Sequence, residues 1–371
     1  MSVVESLDTL RGEVEVVLRI LKGALASGAS DIHLRVGVPP VVRIEGQIVP
    51  LEHPPLEHAV IDAAARAFAD WSGAGRERLS SRQCELGCVI KDVGRFRVHI
   101  YRQRGGRAIV LRNIPDPVPE MSALRLPPVL KQIALEKHGL VAITGATGNG
   151  KSTTIAAMLA YMNEKVRRHI VTIEEPVEFL MRDGLSTFSQ REVGLDVDSF
   201  ADGIKAALRE DPDVIFLGEL RTHTEFELAL TAAEMGLLVV CTMHAPDTTM
   251  AVQRMINMYP TDFRASARDR VAGALRAVVA QKLLPVRGGG RERVLVTEVL
   301  RATGTVRECI RETGRFRSIP QVLDAAAHEH GTHTFDAQLL KMVRNKLIDV
   351  DVARAAARSP KDLVRSLTLT R

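Results

Sequence analysis

The sequence predicts an α/β protein built as two domains, and three observations lead there. The chain is 371 residues, too long for one ordinary domain and comfortable for two. Residues up to about 113 read as a helix followed by short β-rich runs, whereas from about residue 139 buried strands alternate with helices. Between them, in "NIPDPVPEMSALRLPP", Pro115, Pro117 and Pro119 alternate, which makes a stiff, extended spacer. The expected division is a small α+β domain over 1–113, a short Pro-rich linker over 114–121, and a larger domain with a helical C-terminal tail over 122–371.

In the first domain, Val14, Val17, Leu18, Leu21 and Leu25 fall on one face of a helix over 10–27, and Gly28 stops it. Two β-rich runs follow, separated by Pro39 and Pro40, with a turn at Glu45-Gly46. "CELGCVIKDVGRFRVHIYRQRGGRAIVLRNI" reads as three strands with turns at Asp92–Gly94 and Gly105-Gly106. In the second domain "GLVAITG", "HIVTIEE", "DVIFLG" and "LLVVCTMH" read as strands, with helices over 150–165, 199–209 and 222–235. Strands of this apolar kind alternating with helices imply a parallel sheet covered on both faces. "RGGGRER" at 287–293 reads as a hairpin loop, and the tail from about 300 as helical.

Composition narrows the function. With 46% hydrophobic residues a sizeable core can form. A net charge of +5 is a mild bias, and no dense basic run interleaves with aromatics, so no nucleic-acid partner is expected. The four cysteines at 84, 88, 241 and 309 lack a second pair or histidines that would complete a zinc set and read as reduced thiols. The N-terminus MSVVESLDTL lacks a basic region followed by an apolar one, and no apolar run approaches the ~20 residues of a membrane span. A cytoplasmic protein is expected, acting on a membrane only from outside the bilayer.

"GATGNGKSTT" carries the chemistry. Gly145, Gly150, Lys151 and Ser152 match G-x-x-x-x-G-K-[ST] between a buried strand and a helix. The loop, with Thr147, Gly148, Asn149 and Thr153, is expected to wrap its N–H groups around the phosphates of ATP. The helix adds its positive end, Lys151 reaches the β- and γ-phosphates, and the Ser152 hydroxyl binds Mg²⁺. In a parallel nucleotide-binding sheet ligands lie at the carboxyl ends of strands. "DPDVIFLGELRT" delivers Glu219 there to orient or deprotonate water, and "IVTIEEPVE" delivers Glu174 and Glu175, one of which would hold Mg²⁺ or its waters. "LLVVCTMH" places His244 at the same edge, where it can contact γ-phosphate.

In this order the segments resemble the secretion and pilus motor ATPase superfamily, and most closely the type IV pilus retraction ATPases of the PilT type. The resemblance covers roughly residues 10–350. "ASDIHL" and "GVPPVVRIEG" match that family's N-terminal PAS-like domain, "GATGNGKSTT" its Walker A, "TIEEPVEF" its Asp box, "REDPDVIFLGELR" its Walker B and "TAAEMGLLVVCTMHA" its His box. The resemblance implies a RecA-like ATPase domain and a homohexameric ring with ATP between protomers. It further implies docking at the cytoplasmic face of the inner membrane on a pilus platform protein, with a second pilus motor as a further partner. Glu219 becomes the Walker B base, Glu174 and Glu175 the Asp-box acids, Glu174 with Ser152 the magnesium ligands, and His244 the second His-box histidine. Arg97 and Arg112 align with arginines that the family's N-terminal domain places against nucleotide.

Two single positions and one motif depart from the family. Glu175 stands where Asp is usual, Leu237 where a first histidine is usual, and the retraction-type motif A-I-R-N-L-I-R-E appears as "TVRECIRE", keeping Arg307, Ile310, Arg311 and Glu312. The leading expectation is an ATPase that drives pilus retraction. The alternatives are an extension or secretion ATPase and a weakly hydrolysing, nucleotide-gated paralogue.

Overall fold

The computed structural model describes residues 3–73, 75–114, 118–288 and 292–368, and for residues 3–11 the backbone alone. Pro115 and Pro117 of the expected linker, and part of the 287–293 loop, lie outside the described residues. The chain divides into two compact units, Met1–Pro117 with Pro176–Leu180, and Val118–Glu175 with Met181–Arg371.

The first unit holds helices α1 (Val3–Ala26) and α2 (His58–Trp71). Its strands are β1 (Ala29–Arg35), β2 (Val41–Ile44), β3 (Gln47–Pro50), β4 (Gln83–Ile90), β5 (Gly94–Gln103) and β6 (Gly106–Ile114). They form one antiparallel sheet in the order β3-β2-β1-β6-β5-β4. Glu45-Gly46 is the two-residue turn expected, both residues taking positive φ as such hairpins require. The β5–β6 turn is Arg104-Gly105, one residue earlier than expected, because Gly106 already pairs with Gln103. One face of the sheet buries Ile32, Leu34, Leu86, Val98 and Leu111 against Val17 and Leu21 of α1 and Ile61 and Phe68 of α2. Each such side chain contributes about 1.5–3 kcal/mol by leaving water.

The second unit contains α3 (Val129–Ala134), β7 (Gly139–Thr144), α4 (Lys151–Lys165), β8 (His169–Glu174), β9 (Thr187–Glu192), α5 (Phe200–Ala207), β10 (Val214–Leu217) and α6 (His223–Glu234). It continues with β11 (Leu238–Met243), α7 (Thr248–Asn257), α8 (Arg264–Ala274), β12 (Leu275–Pro285) and β13 (Arg293–Arg301). The tail is α9 (Gly304–Arg311), α10 (Ile319–Ala325), α11 (Ala327–His330), α12 (Phe335–Arg344), α13 (Val350–Ala356) and α14 (Pro360–Thr368). The sheet order is β13-β12-β7-β11-β10-β8-β9. Six strands are parallel, but β13 runs antiparallel to β12, so the sheet is mixed rather than wholly parallel. The physical reason is the short β12–β13 connection, which can only reverse the chain.

Every residue of β7, β10 and β11 is buried. Alternate side chains serve the two faces. Leu140, Ala142, Ile215, Leu217, Val239 and Cys241 meet α5 to α10, while Val141, Ile143, Val214, Phe216, Leu238 and Val240 meet α3 and α4. Helix starts are fixed by side-chain caps from Ser199, Asp247 and Thr303, and by a full capping box between Thr222 and Glu225. Each cap contributes about 1 kcal/mol. With β7, β8, β10 and β11 parallel, their carboxyl ends lie on one edge of the sheet.

Candidate functional site

At that edge β7 runs into the glycine loop. Gly145, Gly148 and Gly150 take φ of 148°, 79° and 79°. A Cβ on Gly145 would stand 2.6 Å from the Gln281 carbonyl oxygen of β12, so only glycine lets the loop pass. Gly150 is the left-handed residue just before α4, and Lys151, Ser152 and Thr153 open that helix half-buried. Lys151 Nζ donates to the carbonyls of Gly145 (3.0 Å) and Ala146 (3.2 Å). Asn149 Oδ1 accepts from Leu283 N at 3.3 Å, and the buried Thr154 hydroxyl accepts from Gln281 Nε2 at 2.8 Å. Thr147, Gly148 and Asn149 lie in the intervening turn. A cavity of about 430 Å³ opens beside the loop, lined among others by Asn149, Gly150, Thr153, Leu283, Val294 and Arg125.

Next to β7 in the sheet, β11 ends at Met243 and His244 follows. Its Nδ1 lies 3.2 Å from the Gly145 carbonyl, and its Nε2 lies 3.1 Å from Glu219 Oε1. Both ring nitrogens thus face oxygen acceptors, one of the loop and one of the acid. Glu219 follows β10 and Gly218; the Gly218 amide donates to the Ile173 carbonyl at 2.8 Å, and the Thr242 hydroxyl donates to the Gly218 carbonyl. The other Glu219 oxygen accepts from Arg221 Nη2 at 2.9 Å. Burial pushes the Glu219 carboxyl up. The Arg221 hydrogen bond, with the charges of Arg221, His244 and Lys151, outweighs that and holds it below the usual range.

The two acids after β8 separate. Glu174 is the last strand residue and is buried; its Oε1 accepts from the Thr172 hydroxyl at 2.8 Å and from Gln190 Nε2 at 3.3 Å. Glu175 lies beyond the strand rather than in it, half-exposed, 3.5 Å from Arg221 Nη1. Arg221 thus bridges Glu219 and Glu175. Sequence reasoning passed it over, although it stands two residues from Glu219 in "GELRT". Thr242 and Gln281 were passed over as well, since nothing marks a strand threonine or glutamine as reaching a loop carbonyl or a helix hydroxyl.

Arg97 and Arg112 belong to the first unit. Arg97 pairs with Glu85 at 2.6 Å and with Glu178 at 3.7 Å, and Arg112 Nε with Asp31 at 2.9 Å. Leu237 precedes β11 and packs against the core formed with α5 to α10, so the place of the missing histidine is apolar. All four cysteines are free, and burial pushes the Cys88 and Cys241 thiols up to about 12. Among the described residues no helix is long and apolar enough to cross a membrane.

A loop of three positive-φ glycines and a lysine, leading into a 15-residue helix, suits a polyphosphate. A hydroxyl opening that helix and the carboxylate ending β8 are hard oxygen donors of the kind Mg²⁺ takes. This glycine loop at the carboxyl edge of a mostly parallel sheet is the arrangement of a phosphate-loop ATPase. Residues 11–349 match the type II/IV secretion system protein family, and the chain belongs to that family. It is 35% identical over 348 residues to the type IV pilus retractation ATPase PilT of Pseudomonas aeruginosa, covering 93% of this chain and 99% of that one. It is 34% identical to the type IV pilus ATPase PilU of the same organism, covering 95% and 90%. A crystal structure of the pilus retraction motor PilT with bound ADP superposes with a TM-score of 0.85 at 39% identity, covering 94% of this chain and 99% of that one.

Proposed function

We propose that this chain is the ATP-hydrolysing motor of type IV pilus retraction. The observation that carries the reading is the connected line Gly145–His244–Glu219–Arg221, which joins the glycine loop to the acid expected to act on water. The near-complete coverage of the PilT relative supports the retraction assignment. In this reading the first unit is a PAS-like domain over 1–113, joined by a Pro-rich linker at 114–121 to a RecA-like domain over 122–371.

The loop amides from Gly145 to Thr153, and the start of α4, bind the phosphates of ATP, and Lys151 exchanges its two loop carbonyls for phosphate oxygens. The cavity beside Asn149 and Leu283 has the size and partly apolar lining to take the nucleoside. Ser152 and Glu174 would hold Mg²⁺, which would supply neutralisation of the phosphate charge. Glu219 orients the attacking water and receives its proton; its contact with Arg221 must loosen first, because a carboxylate so held is a weak base. His244 reports the γ-phosphate, and Glu175 with Arg221 frames the acid. Arg97 and Arg112 act across protomers of a homohexamer, leaving their present carboxylates to meet phosphate. The ring works in the cytoplasm against an inner-membrane platform protein and touches the membrane only through it.

A second reading is favoured by the 34% identity to PilU and by Leu237, namely a paralogue that works beside a principal motor. One experiment tests the main reading. Glu219→Gln should bind ATP normally and hydrolyse it at least ~10²-fold more slowly, the scale of a positioned base. Deletion of the gene should leave abundant pili that do not retract. Near-normal turnover in the variant removes Glu219 from the mechanism, and loss of pili on deletion makes the protein an assembly motor.

A further inference from the structure

We infer that Glu298 of β13 is a positioning residue for hydrolysis: it ties the first turn of α7 to the first turn of α12 and so fixes the backbone that presents His244. The inference deepens the role proposed for His244 and rests on it.

Glu298 is 1% exposed and stands between Thr297 and Val299, both fully buried. A carboxylate taken out of water is costly unless hydrogen bonds replace its hydration. Here three do. Oε1 accepts from the Thr248 amide at 2.9 Å and from the Thr248 hydroxyl at 2.7 Å, and Oε2 accepts from the Phe335 amide at 3.1 Å. Thr248 and Phe335 are the first residues of α7 and α12, so the carboxylate lies between two helix N-termini, whose dipoles favour its charge. Burial pushes the Glu298 carboxyl up, and the Thr248 and Phe335 hydrogen bonds oppose that.

Neither helix needs Glu298 in order to start. Asp247 Oδ1 accepts from the Met250 amide at 2.7 Å, and Thr334 Oγ1 accepts from the Ala337 amide at 3.2 Å, so each has its own cap. What Glu298 adds is a fixed relation between the two helices. On the α12 side the anchor is firm, because Phe335 is buried with Leu339, Met342, Val294 and Val296.

On the α7 side the relation reaches His244 within four residues. Arg254 Nη1, from α7 itself, donates to the His244 carbonyl at 3.0 Å, so the histidine backbone moves with the helix. The Thr144 hydroxyl, at the end of β7, donates to the Ala245 carbonyl at 3.0 Å. The imidazole has to span the Gly145 carbonyl at 3.2 Å and Glu219 Oε1 at 3.1 Å together. A shift of about 1 Å at the start of α7 would spoil that span, and misplacements of this size cost up to ~10²-fold in rate.

The test is steady-state ATP turnover of the full chain as Glu298→Gln, as His244→Ala and as the double variant. An amide offers only one oxygen, so in Glu298→Gln one of the two helix amides faces an NH₂ group. Glu298→Gln should lower kcat roughly 10-fold and leave KM for ATP within about 2-fold, because the glycine loop and Lys151 dominate binding. In the His244→Ala background the same substitution should change kcat less than about 2-fold, since the group it positions is gone. A merely structural role would slow both backgrounds alike. Thr248→Val keeps the shape and the amide and loses only the hydroxyl bond. It should lower kcat about 3-fold, with no further effect beside His244→Ala, and it carries the test if Glu298→Gln fails to fold. Wild-type kcat in folded Glu298→Gln, or losses that add in the double variant, overturns the inference and leaves the hydrolytic reading standing. Wild-type kcat in His244→Ala removes His244 from hydrolysis, and the positioning role of Glu298 with it.

Discussion

The two edges of the seven-stranded sheet are made by the same strands and have opposite chemistry. At the carboxyl edge glycines bring backbone close, and the charged groups are joined pairwise: His244 to Glu219, Glu219 to Arg221, Arg221 to Glu175. At the amino edge the backbone is sealed by Arg276, which donates to the His138 carbonyl at 3.1 Å. A parallel sheet sorts its loops in this way, because every strand ends on one side and starts on the other. One edge can be shaped for a small polyanion held by the main chain, and the other left to present side chains. The difference is one of depth: at one edge glycines let the main chain itself face a ligand, whereas at the other a side chain closes over the main chain.

The sharpest way to break this contrast is to give the carboxyl edge a side chain where it has none. Gly145→Ala puts a methyl against the Gln281 carbonyl at a φ of 148°, so the loop must move. Nucleotide affinity should fall at least ~10²-fold, by fluorescent-nucleotide titration, with the far-ultraviolet dichroism preserved. Retained affinity would mean that the loop tolerates displacement and that its backbone is not the binding element.

A smaller effect is expected from cutting the line between loop and acid. His244→Ala should leave ATP binding nearly intact and lower turnover roughly 10-fold to 10²-fold, in the range of a single transition-state contact. Restoring a histidine at the upstream place, Leu237→His, should recover little, because that side chain packs into the core. Recovery to wild-type turnover would show that the two positions act on one site after all.

The smallest effect concerns pH. Glu219 lies below its ordinary value in the folded chain, so its ion pairing stabilises the fold above the unfolded value near ~4.3 and is lost as pH falls through the folded one. Arg221→Ala removes the main group holding it down. The acid-unfolding midpoint should then move up by roughly 0.2–0.5 pH units, small because Arg221 is 57% exposed and screened. A midpoint that moves down would mean that burial, not Arg221, sets the Glu219 charge.

The carboxyl edge was far easier to read from the sequence than the rest. "GATGNGKSTT" and four apolar runs ending in Gly145, Glu174, Gly218 and His244 mark strand, loop and polar end together. Helix α2 was missed because alanines at 63, 64 and 65 blur its apolar stripe, although Ile61 and Phe68 anchor it. Strand β9, "TFSQRE", is a polar edge strand whose partner in the sheet, not its composition, makes it one. The antiparallel return of β13 follows from the hairpin loop read at 287–293, although the strands on either side of that loop were not assigned. In the site itself the acids and the histidine were legible because strand ends predict where side chains emerge. Arg221 was not, since its role comes from lying between Glu219 and Glu175, which only the fold brings together.

Residues Pro176–Leu180 belong to the first unit although the chain on both sides of them belongs to the second. Arg95 Nη2 donates to the Val177 carbonyl at 2.5 Å, and Arg97 pairs with Glu178. The covalent consequence is that the polypeptide passes from one body to the other three times, at 117/118, 175/176 and 180/181. A fragment cut at the proline-rich segment would be an incomplete body, missing five residues of its own. Two of those passages flank a short stretch of the first unit whose first bond adjoins Glu175, so the two units are joined at three places along the chain rather than at one.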